Sequence, residues 1–204
     1  MTLLVVKLGG SLAGSAHFTV WLDILATAPL PLVIVPGGGP FADAVRAAQG
    51  PLGYGDATAH HMALLAMAQF GLAIAAAHCR FAMAQTEPEM RAGLAAGKIP
   101  VWNPVAMALA APDVPASWNV TSDSLAAWLA GRLAARHLLL VKPVDARQNP
   151  ASAQDLAARG VTDPCFPAFL AIAGASAFMA GPAALARAAQ DLREGTIPGV
   201  AIRP

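Results

Sequence analysis

The sequence predicts an α/β fold in which a mostly parallel sheet is covered by helices on both faces. Three observations point there. Short apolar runs alternate with segments of helical spacing, the runs are continuously apolar as in strands buried on both sides, and glycine-rich turns follow the first two.

Residues 3–8 form the first run and end at Gly9 and Gly10. Residues 17–28 carry Phe18, Trp21, Leu22 and Leu25 at helical spacing and stop at Pro29, and residues 32–35 give a second buried strand, completing a βαβ unit. Gly37, Gly38 and Gly39 open a helix at 41–49, and a long helix runs from Asp56 to about Ala77 after a turn at 51–55. Further helices are expected at 87–96, 121–136, 151–158 and 182–192, and further strands at 99–102, 138–142, 177–179 and near 200–202. With neither repeat nor linker in sight, residues 1–204 are expected to form one domain. Ligands of such a sheet sit at the carboxyl ends of its strands.

Charged residues make up 12% of the chain, about half the share in an ordinary globular protein, and hydrophobic residues 56%. Much of the surface is therefore alanine-rich and uncharged. Such a surface suits burial between subunits and equally reflects genome composition; a homo-oligomer, a dimer or higher, is the expectation. The net charge of +1 has no basic run or acidic tail behind it, which argues against nucleic acid or a membrane surface as partner and for a small molecule. Mean hydropathy is +0.54, yet Gly, Pro, His or charge cuts the apolar runs short of a bilayer span. Two cysteines, Cys79 and Cys165, and an N-terminus without signal-peptide features lead to the expectation of a cytoplasmic protein with free thiols.

Four constellations could carry chemistry. Lys7, Gly9, Gly10 and Ser11 close the first strand, where glycines let backbone N–H groups approach phosphate oxygens and a lysine adds a point charge. The spacing is not that of a P-loop, and a tight turn with an incidental lysine is the alternative. The chain has only three lysines, Lys7, Lys98 and Lys142, so one inside an apolar strand is hard to dismiss as surface decoration. Gly37, Gly38 and Gly39 offer open backbone and a helix N-terminus to an anion, or else simply let that helix pack close. Asn119, Thr121, Ser122, Asp123 and Ser124 read either as an N-cap or as a polar cluster whose aspartate orients lysines toward a phosphoryl group. Lys142 and Asp145 follow another strand, so Lys142 faces the same crevice as Lys7 if the strands are parallel, or else is a solvated loop charge. His60 and His61 are adjacent on a helix and lack the spacing of a metal pair, and no metal held by side chains is expected. Met62, Leu65, Met67 and Phe70 are read as core or subunit interface.

In order, Lys7-Leu8-Gly9-Gly10-Ser11-Leu12, Val33-Ile34-Val35-Pro36-Gly37-Gly38-Gly39-Pro40, Val120-Thr121-Ser122-Asp123-Ser124 and Leu139-Leu140-Val141-Lys142-Pro143-Val144-Asp145 resemble the amino acid kinase superfamily. Within it, the length, residues 118–129, and Gly160-Val161-Thr162-Asp163-Pro164 followed by Phe166-Pro167 look most like the (5-(aminomethyl)furan-3-yl)methyl phosphate kinases of methanofuran-type one-carbon cofactor synthesis. The resemblance implies a three-layer αβα sandwich, ATP as donor, Mg2+ held through the nucleotide phosphates, and transfer of the γ-phosphoryl group to a phosphate or carboxylate oxygen.

By the same resemblance Lys7 stabilises the transferring group and Asp123 organises the lysines. Gly9, Gly10, Ser11, Thr121 and Ser122 contact phosphates, and Lys142 and Asp145 lie on the nucleotide side. Gly37, Gly38 and Gly39 cradle the acceptor, and Asp163 shapes its pocket, meeting an aminomethyl cation. Two features depart from the pattern: no lysine follows Lys142, and residues 145–150 lack the usual glycine. They favour the competing expectation, a ligand-binding or storage protein that kept the fold without phosphoryl transfer.

Overall fold

The computed structural model describes residues 2–204. In chain order the elements are β1 (Leu4–Leu8), α1 (Ala16–Thr27), β2 (Leu32–Pro36), α2 (Gly39–Leu52), α3 (Asp56–Ala76), β3 (Phe81–Ala84), α4 (Glu87–Ala95), β4 (Ile99–Trp102) and α5 (Val105–Leu109). They continue as α6 (Ser122–Arg132), β5 (His137–Val141), β6 (Ala151–Ser152), α7 (Ala153–Ala158), α8 (Phe166–Ala173), β7 (Ser176–Ala180), α9 (Leu185–Arg193) and β8 (Val200–Arg203). The strands form one sheet in the order β3-β4-β2-β1-β5-β7-β8-β6, parallel except where β8 runs against β7. Helices cover both faces, as the three-layer αβα sandwich requires.

Strand alternation divides the core in two. Val5, Val33, Val35, Leu138 and Leu140 pack toward α6 and α8 on one face. Leu4, Val6, Leu8, Leu139 and Val141 pack toward α1 and α9 on the other. β1 is fully buried between β2 and β5, which is why it reads as an unbroken apolar run. Local signals set the helix starts: Ser15 accepts the Phe18 N–H at 3.3 Å, and Thr86 accepts the Glu89 N–H at 3.3 Å.

Several boundaries differ from the sequence expectation. β3, α5 and α8 were not expected as elements. The segment expected as a helix over 151–158 begins instead with β6, whose Ala151 and Ser152 pair with Ile202 and Arg203 of β8. The helix expected over 121–136 ends at Arg132, because the chain must turn through residues 133–136 to enter β5. α3 matches the long helix expected from Asp56 to about Ala77, and by length and composition alone it would suffice to cross a bilayer. Here it packs against the sheet as one helix of the sandwich, with Leu64, Met67, Phe70 and Ile74 buried while Leu65 and Leu72 stay exposed. Cys79 and Cys165 are both free thiols.

Candidate active site

The chain runs from β1 to β2 on one side and later returns to β5 on the other, so a crevice opens at the carboxyl ends of β1, β2 and β5. Residue parity aims two lysines into it. Lys7 pairs in register with Leu140, and Lys142 lies two residues beyond Leu140, so both ammonium groups leave the sheet on the α6 face.

The first turn of α6 supplies their counter-ion. Asp123 Oδ2 accepts from Lys142 Nζ at 2.7 Å, and Asp123 Oδ1 stands 3.0 Å from Lys7 Nζ, a charge contact outside hydrogen-bond alignment. Lys142 also donates to the Val161 carbonyl at 2.6 Å. All three side chains are buried. Burial alone would raise the Asp123 carboxyl, but Lys142 and then Lys7 outweigh it and bring it down to about 2. Burial pushes the Lys142 ammonium down to about 8 against the pull of Asp123, with Lys7 adding to the depression. One carboxylate between two ammonium groups leaves a net positive charge, which an anion can complete.

The glycine segments stack backbone on backbone. A Cβ on Gly10 would fall 2.2 Å from the Gly39 nitrogen, and one on Gly37 would fall 2.3 Å from the Gly10 nitrogen. The Gly9 N–H donates to the Val141 carbonyl at 3.2 Å and the Gly37 N–H to the Leu8 carbonyl at 2.9 Å. These two N–H groups are therefore occupied, which differs from the expectation that Gly9 contacts a phosphate and Gly37 an acceptor through N–H donors. Among the described residues, the N–H groups of Gly10, Ser11, Gly38 and Gly39 have no protein acceptor. Those four, at the first turn after β1 and the start of α2, suit an anion.

Two adjoining hollows meet at this point. One, of about 290 Å³, is lined by Lys7, Gly10, Gly38, Gly39 and an apolar floor of Leu64, Met67, Val120 and Leu125. The other, of about 330 Å³, holds Lys142, Asp123 and Thr162. Ser11 and Thr121 border both, and Ser122 lines the first.

Asp163 lines the second hollow, and its carboxylate is also engaged by the start of α6. Its Oδ2 accepts the Thr121 N–H at 3.0 Å, the Thr121 hydroxyl at 2.8 Å and the Ser124 N–H at 3.0 Å, while Oδ1 accepts the Ser124 hydroxyl. The carboxylate is thus the cap of α6, supplied from a distant loop, and holds Asp123 in position. Asp145 is exposed and accepts the Ala183 N–H at 3.1 Å, beside a third hollow of about 400 Å³ that includes Gly181 and Arg187.

Sequence reasoning missed Asp43, Arg46 and Trp118 and set His60 aside, yet all four line the first hollow. Gly39, Ala42, Asp43 and Arg46 follow an i, i+3, i+4, i+7 spacing, a signal available once Gly39 is taken as the helix start. His60 is 6% exposed and its Nε2 has no partner. Burial, followed by the neighbouring His61, lowers its pKa, so the ring is neutral near pH 7.

The phosphates of ATP fit these donors: two lysines and four N–H groups. Among the described residues no three His, Cys, Asp or Glu side chains gather as a metal cage, and Asp123 is engaged by lysines. Mg2+ bound here would take its ligands chiefly from nucleotide phosphates and water.

Comparison with known proteins agrees with this architecture. The chain is 28% identical over 143 residues to the [5-(aminomethyl)furan-3-yl]methyl phosphate kinase of Methanocaldococcus jannaschii, an alignment covering 69% of this chain and 66% of that protein. Its fold matches uridylate kinase from Archaeoglobus fulgidus with a TM-score of 0.73 at 15% identity, over 100% of both chains. UMP kinase from Ureaplasma parvum superposes with a TM-score of 0.71 at 15% identity, over 100% of this chain and 99% of that one. The sequence model of the amino acid kinase family matches residues 2–146, which contain β1, the glycine segments, Asp123 and Lys142, and on that match this chain belongs to the amino acid kinase family.

Proposed function

We propose that this chain is an ATP-dependent small-molecule kinase that phosphorylates a phosphate oxygen of (5-(aminomethyl)furan-3-yl)methyl phosphate, forming the diphosphate. The family assignment supports a phosphotransferase, and the named relative supports this acceptor. The observation that carries the reading is the Lys7–Asp123–Lys142 bridge, buried where two hollows join.

Phosphoryl transfer needs positioning and charge neutralisation more than covalent participation by the protein. ATP supplies the transferred group: a bond forms from the acceptor oxygen to the γ-phosphorus, the bond to the β-phosphate oxygen breaks, and ADP leaves. Lys7 and Lys142 offset the repulsion between the two anions. Asp123 fixes both ammonium groups, while the Gly10, Ser11, Gly38 and Gly39 N–H groups hold phosphate oxygens. The apolar floor accepts the furan ring, and Asp43, rather than the capped Asp163, is the carboxylate available to an aminomethyl cation.

A second reading, a binding or storage protein, draws on the exposed segment after Asp145 and the lack of any lysine beyond Lys142. The test is calorimetric titration of Mg-ATP and Mg-ADP into the protein and into Lys7→Ala, followed by ADP release with the furan phosphate. Lys7-dependent binding and acceptor-dependent ADP release are expected. No binding at millimolar nucleotide would replace the kinase with the storage reading.

A further inference from the structure

Arg46 stands on the wall shared by the two hollows and lines both. Its guanidinium carbon lies 4.4 Å from the centroid of the Trp118 ring. Trp118 is itself pinned to α2, its Nε1–H donating to Gln49 Oε1 at 2.6 Å. Gln49 in turn donates to Asp56 Oδ1 at 2.9 Å, which ties the start of α3 to the same latch. Among the described residues, no carboxylate lies within ion-pair distance of Arg46, although Asp43 is only one turn away. The protein thus sets an exposed guanidinium over an indole ring, without a carboxylate partner, on the wall of the hollow that Lys7 and the Gly10, Ser11, Gly38 and Gly39 backbone also line.

A planar fork of donors matches two oxygens of one phosphate, which an ammonium cannot do. We infer that Arg46, held over Trp118, grips the acceptor's own phosphate, so that this site selects phosphomonoesters over alcohols and carboxylates. Trp118 is a positioning residue. The inference rests on the kinase reading and assigns a residue to the acceptor's phosphate within it. It also answers a charge problem: bringing a phosphate up to the γ-phosphoryl group joins two anions, and Arg46 supplies a third cation on the acceptor side.

The test compares the wild-type protein with Arg46→Ala, Arg46→Lys and Trp118→Ala. The probes are the furan phosphate, its dephosphorylated alcohol, and inorganic phosphate. Binding is measured by calorimetry, and turnover by ADP release.

Wild type should bind the ester at least ~10-fold more tightly than the alcohol, as expected for charge-assisted hydrogen bonds to a phosphate. Arg46→Ala should erase that preference and raise the acceptor KM by roughly 10- to 100-fold while Mg-ATP affinity changes less than about 2-fold. Arg46→Lys should recover only part of the loss, because it cannot bind two oxygens at once. Trp118→Ala should raise the acceptor KM, and the double variant should be no worse than Arg46→Ala alone, as two residues acting through one contact require.

An unchanged ester preference in Arg46→Ala overturns the inference. So does a wild type that binds neither ester nor inorganic phosphate, and Lys7-dependent Mg-ATP binding in that protein would leave the kinase reading standing. Arg46-dependent ester binding without any nucleotide binding would have the opposite meaning: the clamp stands and the kinase reading falls.

Discussion

Lys142 and Asp123 meet at 2.7 Å, from the end of β5 and the first turn of α6, and both are buried. Removing the carboxylate leaves Lys142 and Lys7 facing each other without a counter-ion. Breaking a buried charge group in this way costs about 3–5 kcal/mol. Asp123→Asn is therefore expected to unfold at markedly lower denaturant concentration than Lys7→Ala, which leaves the Asp123–Lys142 pair intact. Both variants should lose ~100-fold or more in turnover. Equal stability of the two in urea titrations would contradict the organising role of Asp123.

The same pair sets a pH dependence. In the free protein Lys142 titrates near 8, so kcat/KM should fall about tenfold per pH unit above that value as the cation is lost. Lys142→Arg should remove this alkaline limb, because a guanidinium stays charged. Stability moves the other way. Between about 8 and the ordinary lysine value of 10.5 the unfolded chain binds the extra proton, so the Lys142 contribution to stability rises with pH. Asp123, lowered from 3.8 to about 2, contributes stability that is present above 3.8 and lost as pH falls through about 2. An activity profile flat from pH 7 to 10 would remove Lys142 from the transfer step.

Gly10→Ala is expected to destabilise by roughly 1–3 kcal/mol and abolish activity, because its Cβ would press on the Gly39 backbone, which cannot swing aside. Gly50, inside α2, has nothing beyond its chain neighbours and its own helix backbone within 4 Å of an added Cβ. Gly50→Ala should therefore gain up to about 1 kcal/mol with turnover unchanged. Thermal melts of the two variants check the contrast, and a stable, active Gly10→Ala would mean that the two glycine segments need not touch.

What could be read from the sequence follows from how local each signal was. β1, β2 and β5 announced themselves because strands buried on both faces are continuously apolar, and Lys7 stood out against that background. β3 did not, since Phe81–Ala84 offers alanine and methionine, which favour helix as readily as strand. The segment holding α8 was absorbed into a motif punctuated by Pro164 and Pro167, which hid Phe166–Ala173 as a helix. Asp123 was legible as a helix-start acid, whereas the capping by Asp163 joins groups 42 residues apart in sequence and has no local signature. Arg46 was missed for a different reason. Its helix was expected to begin at Phe41, so the spacing of Gly39, Ala42, Asp43 and Arg46 on one face was not read.

The position of Asp163 separates two roles that one substitution can distinguish. As the external cap of α6, it satisfies two backbone N–H groups and two hydroxyls, so Asp163→Ala should cost about 2 kcal/mol or more in stability. Loss of the cap lets the first turn of α6 fray, and Asp123 with it, so kcat should fall together with the melting temperature. The acceptor KM should move little, because three donors saturate Oδ2 and the Ser124 hydroxyl engages Oδ1. Asp163→Asn retains an acceptor oxygen and should recover part of the stability. A large rise in acceptor KM at an unchanged melting temperature would instead make Asp163 a direct contact of the acceptor, and the cap a secondary role.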